Sequence, residues 1–166
     1  FFTYIAAFGT FSDISYSTSQ TMKRSLGKLA YILQAVMKIG DIKARHVRLT
    51  IDGKVIEGDF VLGAVTNSTS FAGVFRLREE ELKLDDGIFE VLLIKPPKNP
   101  IELTKIMEQL LHKSYDSKFV SLYHGKEIIV HTEKETTWCL DGEMGGTYQD
   151  VTITPSDRQM TFCAGT

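Results

Sequence analysis

The chain is short of the residues that staple or interrupt a fold. Its 166 residues include two cysteines, four prolines and one tryptophan. Cys139 and Cys163 sit in strand-like surroundings without metal-ligand spacing. They read as two buried free thiols in a reducing cytoplasm, with a disulfide as the alternative. No apolar run approaches the roughly 18–20 residues that span a bilayer, so no membrane-crossing helix is expected, and no secretory leader is expected either. A charge excess is also missing. Nineteen Lys and Arg against 21 Asp and Glu leave a net charge of −2, so no global basic field draws the chain to nucleic acid. Neither GxxxxGK nor GxGxxG occurs, so the chain carries no recognisable phosphate cradle of its own. His46, His112, His124 and His131 are scattered. They form no Cys/His cluster and no Ser-His-Asp arrangement, and no zinc site is expected.

What is present suits a globular unit. The hydrophobic share is 43% and the charged share 24%, and the length fits one domain or one large lobe of a two-domain enzyme. The chain starts Phe1-Phe2-Thr3-Tyr4-Ile5, without an initiator methionine and already strand-like. It is expected to be cut from a longer protein.

Short strands dominate the pattern. Phe1 to Phe11 is aromatic and β-prone, with a bulge expected at Gly9. Val47, Leu49 and Ile51 alternate with polar residues, Asp52-Gly53 turns, and Val55 begins the return, which predicts a hairpin. Further strands are predicted at 60–67, 71–77, 87–94, 119–123, 127–132, 136–140, 148–154 and 159–163. Two helices are predicted. One covers 20–39, with Met22, Leu26, Leu29, Leu33 and Val36 at helical steps. The other starts at Asn99 as N-cap, with Pro100 in the first turn and Glu102 as capping-box partner, and runs to about His112. Many short strands with turns every 8–12 residues suggest a mainly β, sandwich-like or barrel fold with the helices outside.

Three Asp-Gly pairs bear on chemistry. Asp52-Gly53 reads as a hairpin turn only and serves as a control for the others. Asp85-Asp86-Gly87 could offer one carboxylate plus backbone carbonyls to a hard cation, although a plain turn before a strand is the simpler reading of the spacing. Trp138-Cys139-Leu140-Asp141-Gly142-Glu143, if extended, places Cys139, Asp141 and Glu143 on one face, opposite Trp138 and Leu140. Glu143 could then act at a cleft as a general base on a substrate hydroxyl. The simpler alternative is a hairpin with solvated charges, helped by Gly145-Gly146.

Taken in order, Phe8-Gly9, Lys28-Leu29-Ala30-Tyr31, Asn67, Phe71-Ala72-Gly73, Leu84-Asp85-Asp86-Gly87 and Leu140-Asp141-Gly142-Glu143 resemble the C-terminal lobe of the diacylglycerol kinase catalytic family, in its bacterial branch. The resemblance covers nearly all of 1–166. It implies a β-sandwich-like acceptor-side domain of a two-lobe lipid kinase. The N-terminal α/β lobe with its Gly-Gly-Asp-Gly-Thr nucleotide loop would be absent from this chain. By resemblance Glu143 is the general base, and Asp141 holds its loop or helps position a magnesium-bound water. A structural Mg²⁺ would use the Asp86 side chain and the carbonyls of Lys83 and Ile88. The chain departs from the family pattern at Ala72-Gly73, where Gly-Gly is frequent, and at Arg78-Glu79-Glu80-Glu81, where Ala-Pro is frequent.

The activity so implied is transfer of the ATP γ-phosphoryl group to a lipid hydroxyl, with the fragment alone inactive. Peripheral contact with the inner face of the membrane, in the cytoplasm, is expected, with homodimerisation left open. The alternatives are NAD kinase-like transfer to a ribose hydroxyl, and a non-enzymatic β-sandwich binding module.

Overall fold

The computed structural model describes residues 1–9, 43–68, 70–71, 75–76, 86–112, 114–115 and 117–156. The helix expected over 20–39 and the strand expected over 159–163 lie outside these residues, as does Cys163.

Among the described residues, ten strands and one helix follow in order. The strands are β1 (Ile5–Gly9), β2 (Arg45–Ile51), β3 (Lys54–Phe60), β4 (Leu62–Thr66), β5 (Ser70–Phe71), β6 (Phe75–Arg76) and β7 (Phe89–Ile94), then β8 (Val120–Gly125), β9 (Ile128–Leu140) and β10 (Glu143–Ile153). The helix, α1 (Pro100–Leu111), lies between β7 and β8. All but β5 and β6 join one antiparallel sheet in the order β3-β2-β9-β1-β4-β7-β8, with β10 also paired to β9. The mainly β expectation holds.

The sheet becomes a two-layered body because β9 belongs to both layers. β9 pairs with β2 through Ile128 to Thr132 and with β1 through Trp138 to Leu140, while β10 follows it along both stretches. The interior side of β9 carries Ile128, Val130, Thr132, Thr136 and Trp138. Between its two halves the register shifts, so that Tyr148 faces Thr136 and Asp150 faces His131. Carbonyls released by this irregularity still need donors. The single proton of the buried Thr132 hydroxyl is shared between Lys134 O at 2.8 Å and Gln149 O at 3.1 Å, and the Thr136 hydroxyl donates to Lys134 O at 3.1 Å. Two separate strands were expected here. The exposed Glu133-Lys134-Glu135 hides the continuity, because polar residues outside a bend look like a loop.

The central strands β1, β4 and β7 bury both faces. On one, Ala6, Phe8, Val65, Val91 and Leu93 meet Val47, Leu49, Ile128, Val130 and Trp138 between the layers. Phe8 and Trp138 pack there as a tilted aromatic pair with centroids 5.0 Å apart, a geometry worth about 0.5–1.5 kcal/mol beyond area burial. On the other, Ile5, Ala7, Ala64, Leu92 and Ile94 meet Ile106 and Leu110 of α1. Such double burial explains the continuous apolar runs in β4 and β7. The run at 60–67 is two strands broken at Val61.

The helix starts as its sequence predicts, with Asn99 Oδ1 accepting the Glu102 N–H at 2.9 Å. Glu102 reaches one residue past the cap, accepting the Lys98 N–H at 2.7 Å.

Candidate active site

The hairpin between β9 and β10 turns on Asp141 and Gly142. Leu140 and Glu143 are directly paired across it, and both turn residues have positive φ, 51° and 94°. This is the backbone of a tight two-residue hairpin, which Asp-Gly favours. Of the two readings of 138–143 the hairpin is the one observed, and the face assignment that held only for an extended segment is corrected. Glu143 does not share a face with Cys139 and Asp141. It opposes Leu140 across the ladder and so lies on the face of Leu140 and Trp138, while Cys139, a buried free thiol, opposes Met144. The turn interrupts the alternation on which the earlier face assignment depended.

The Asp141 carboxylate accepts four hydrogen bonds from the start of the chain. Oδ2 accepts from the Thr3 N–H at 2.7 Å and the Thr3 hydroxyl at 2.9 Å, and Oδ1 accepts from the Tyr4 and Ile5 N–H groups at 2.8 Å each. The Asp141 N–H in turn donates to Ile5 O at 2.8 Å. Partial burial pushes the Asp141 carboxyl upward. The N–H groups of Ile5, Thr3 and Tyr4 and the Thr3 hydroxyl outweigh it and hold the group below the ordinary aspartate range. Glu143 stands exposed immediately after this anchored turn.

The control pair proves to be the same device. Asp52 and Gly53 have φ of 46° and 83°. The Asp52 N–H donates to Glu127 O at 3.0 Å. Its carboxylate accepts from the Glu127 N–H at 2.9 Å and the Lys126 N–H at 3.1 Å, which lowers its pKa. Both Asp-Gly turns thus clamp the main chain of a distant segment. They differ in that an acid opens the strand after Asp141-Gly142, whereas Lys54 opens the strand after Asp52-Gly53.

Of the expected cation ligands, Lys83 lies outside the described residues. Asp86 Oδ1 accepts the Ile88 N–H at 2.8 Å, and Gly87 between them has φ 66°. The three residues form a closed Asx-type turn leading into β7. Among the described residues no group of three or more His, Cys, Asp or Glu side chains could hold a metal ion. One carboxylate with carbonyls lies below that count.

A residue that sequence reasoning missed lies close by. Glu90 is 4% exposed on β7, in register with Thr66 of β4 and His124 of β8. Burial pushes its carboxyl up to about 7, the nearby Asp86 charge adds to the push, and amide donors of Glu90 and Ser68 offset only part. Its signal was available, because Glu90 is the one acid inside the apolar run Phe89-Glu90-Val91-Leu92-Leu93-Ile94.

Two of the histidines pair with acids elsewhere. His46 contacts Asp59 at 2.9 Å and Glu57 at 3.4 Å across the β2–β3 hairpin, and those contacts raise its pKa. His131 contacts Asp150 at 2.7 Å across β9 and β10.

Comparison with known proteins places this geometry in a family. A family model described as the YegS C-terminal NAD kinase beta sandwich-like domain matches residues 9–160. A protein named diacylglycerol kinase from Bacillus subtilis (strain 168) is 26% identical over 147 residues, covering 88% of this chain and 48% of the relative. Its namesake from Staphylococcus aureus (strain JH9) is 30% identical over 148 residues, covering 88% and 46%. The chain therefore spans about half the length of the curated relatives it matches. A crystal structure of a diacylglycerol kinase from Bacillus anthracis str. Sterne superposes with a TM-score of 0.57 at 23% identity, covering 90% of this chain and 47% of that one. A second structure from that organism gives a TM-score of 0.64 at 22% identity, covering 92% and 50%.

Proposed function

We propose the following for this chain, which belongs to the YegS C-terminal NAD kinase β-sandwich-like domain family: it is the acceptor-side lobe of an ATP-dependent lipid kinase of the diacylglycerol kinase type. The observation that carries the reading is Glu143, an exposed carboxylate at the first position of β10, on a turn fixed by Asp141 to Thr3, Tyr4 and Ile5. Phosphoryl transfer asks little covalent chemistry of a protein. It asks for aligned reactants and a base on the nucleophile. Glu143 accepts the proton of the lipid hydroxyl as that oxygen bonds to the γ-phosphorus of ATP and the bond from that phosphorus to the β–γ bridging oxygen breaks, releasing ADP. Asp141, with both oxygens engaged by the main chain, holds the turn, a role its hydrogen bonds favour over positioning a magnesium-bound water.

The nucleotide is held by the part of the relatives that this chain does not span, so the chain alone transfers nothing. Mg²⁺ suits the Asp86 turn chemically. The Asp86 side chain and the backbone carbonyls of Lys83 and Ile88 would hold it, and its charge would relieve the repulsion that Asp86 exerts on Glu90. Bound there, the ion would supply rigidity and local positive charge. No helix among the described residues is long and apolar enough to cross a membrane. Contact with the lipid is part of the same proposal, at a peripheral surface on the inner face of the membrane.

The test is phosphorylation of a lipid panel by the full-length protein and its Glu143→Gln variant. The variant is expected to lose about 10²–10⁴ in kcat, and near-normal activity would refute the base assignment. NAD⁺ belongs in the same assay, because the family description itself names NAD kinase. Transfer to NAD⁺ and not to lipid would move the acceptor to a ribose hydroxyl.

A further inference from the structure

The strand that begins at Glu143 is irregular almost at once. Glu143 faces Leu140 and Met144 faces Cys139, but the next pair is Gly146 with Trp138. Gly145 is thus an extra residue, a bulge two positions beyond the proposed base. Gly146 has φ 109°, a backbone setting that side-chain-bearing residues rarely adopt.

Both glycines are covered closely. A Cβ on Gly145 would lie 2.5 Å from Leu140 Cγ and 2.9 Å from Leu140 Cδ1. A Cβ on Gly146 would lie 2.6 Å from the Tyr148 hydroxyl oxygen and 2.7 Å from Tyr148 Cε2. Leu140 therefore rests on the Gly145 backbone, and the Tyr148 ring rests on Gly146. Leu140 is also the cross-strand partner of Glu143. Anything that lifts Leu140 off Gly145 disturbs the side chain directly opposite it. Bulges bend a strand and re-aim its side chains, and they recur beside active sites for that reason.

We propose that the Gly145-Gly146 bulge, with Leu140 and Tyr148 seated on it, is a positioning device for Glu143. It rests on the reading of Glu143 as base, and it adds a second anchor. Asp141 fixes the turn before Glu143, and the bulge fixes the strand after it. Gly145, Gly146, Leu140 and Tyr148 act through Glu143 and touch no reacting atom.

The test is a set of variants in the full-length enzyme, with kcat and KM for the lipid read separately. Gly145→Ala is expected to lower kcat about ten- to a hundredfold, the scale of a misplacement near 1 Å, with KM changed by less than about threefold. Adding Leu140→Ala clears the seat and is expected to restore part of the loss. Tyr148→Ala, which introduces no clash, is expected to lower kcat more modestly. Each loss should vanish when the same change is made in Glu143→Gln, because a positioning residue has nothing left to position. A general loss of folding would persist in that background. If Glu143→Gln itself keeps normal activity, the base reading fails. If Glu143→Gln is impaired but Gly145→Ala and Tyr148→Ala leave kcat intact, or cost the same factor in both backgrounds, the bulge proposal fails and the base reading stands.

Discussion

Replacing Asp141 with alanine strips the acceptor from three backbone N–H groups and one hydroxyl in a single step. The Ile5 donor is partly buried, and leaving it unpaired costs about 1–3 kcal/mol. The donors at Thr3 and Tyr4 are exposed, so water replaces the carboxylate there and the loss is smaller. The sum is about 2–3 kcal/mol, or roughly 4–12 °C in Tm for a chain of this size. Thermal melts followed by circular dichroism read it directly. Asp52→Ala removes the twin clamp at a fully solvated turn, so its Tm should fall less. Its kcat should stay at the wild-type value, whereas Asp141→Ala should lower kcat by releasing the turn in front of Glu143. The acid limb supplies a second measure. The Asp141 pKa is depressed in the folded state, so its stabilisation is fully present above the unfolded value near 3.8 and is lost as pH falls through the folded one. Asp141→Asn should flatten that limb. An Asp141→Ala variant that melts with the wild type, or an Asp52→Ala variant that loses as much kcat, would refute the reasoning.

Glu90→Gln addresses the opposite sign of shift. A carboxyl raised to about 7 contributes stability that is full below about 4.5 and lost as pH rises through 7. In metal-free buffer the Gln variant should lose that dependence and melt above the wild type at pH 8. Equal melting at pH 8 would place Glu90 in a more solvated setting than β7 gives it. Thr132→Val should lower stability by about 1–3 kcal/mol in urea titration, because the buried hydroxyl serves the carbonyls of Lys134 and Gln149. An unchanged midpoint would show that water satisfies them. The loss of kcat in Glu143→Gln and the background-dependent loss in Gly145→Ala complete the set.

The parts of the fold legible in the sequence were those fixed by local chemistry. The β2–β3 hairpin could be read because Val47, Leu49 and Ile51 alternate up to an Asp-Gly pair. The helix start could be read because Asn99, Pro100 and Glu102 each satisfy or avoid an end-of-helix N–H. What could not be read depended on distant partners. At Asp141-Gly142 a hairpin was the simpler reading, but the face on which Glu143 emerges from it could not be read, because the spacing of Trp138 and Leu140 fits an extended run as well. Nothing local shows that Thr3 to Ile5 arrive to fill the Asp141 carboxylate. The same blindness made Asp52 look like a turn and nothing more, since Lys126 and Glu127 are remote in sequence. Pattern offered Glu143 only as one candidate, and the resemblance singled it out. Spacing alone could place neither its exposure nor the bulge beyond it.

A strand shared by two layers removes the option of partial failure. Peeling away the layer of β2 and β3 means tearing the first half of β9 from the second, and the Thr132 and Thr136 hydroxyls stitch that junction. Amide exchange in β1, β2 and β9 should therefore proceed through one common opening, with no subset released early. Damage at the His46 end would travel along the covalent spine of β9 to the hairpin tip. A solvent-facing acid there could keep its aim without a cavity built around it.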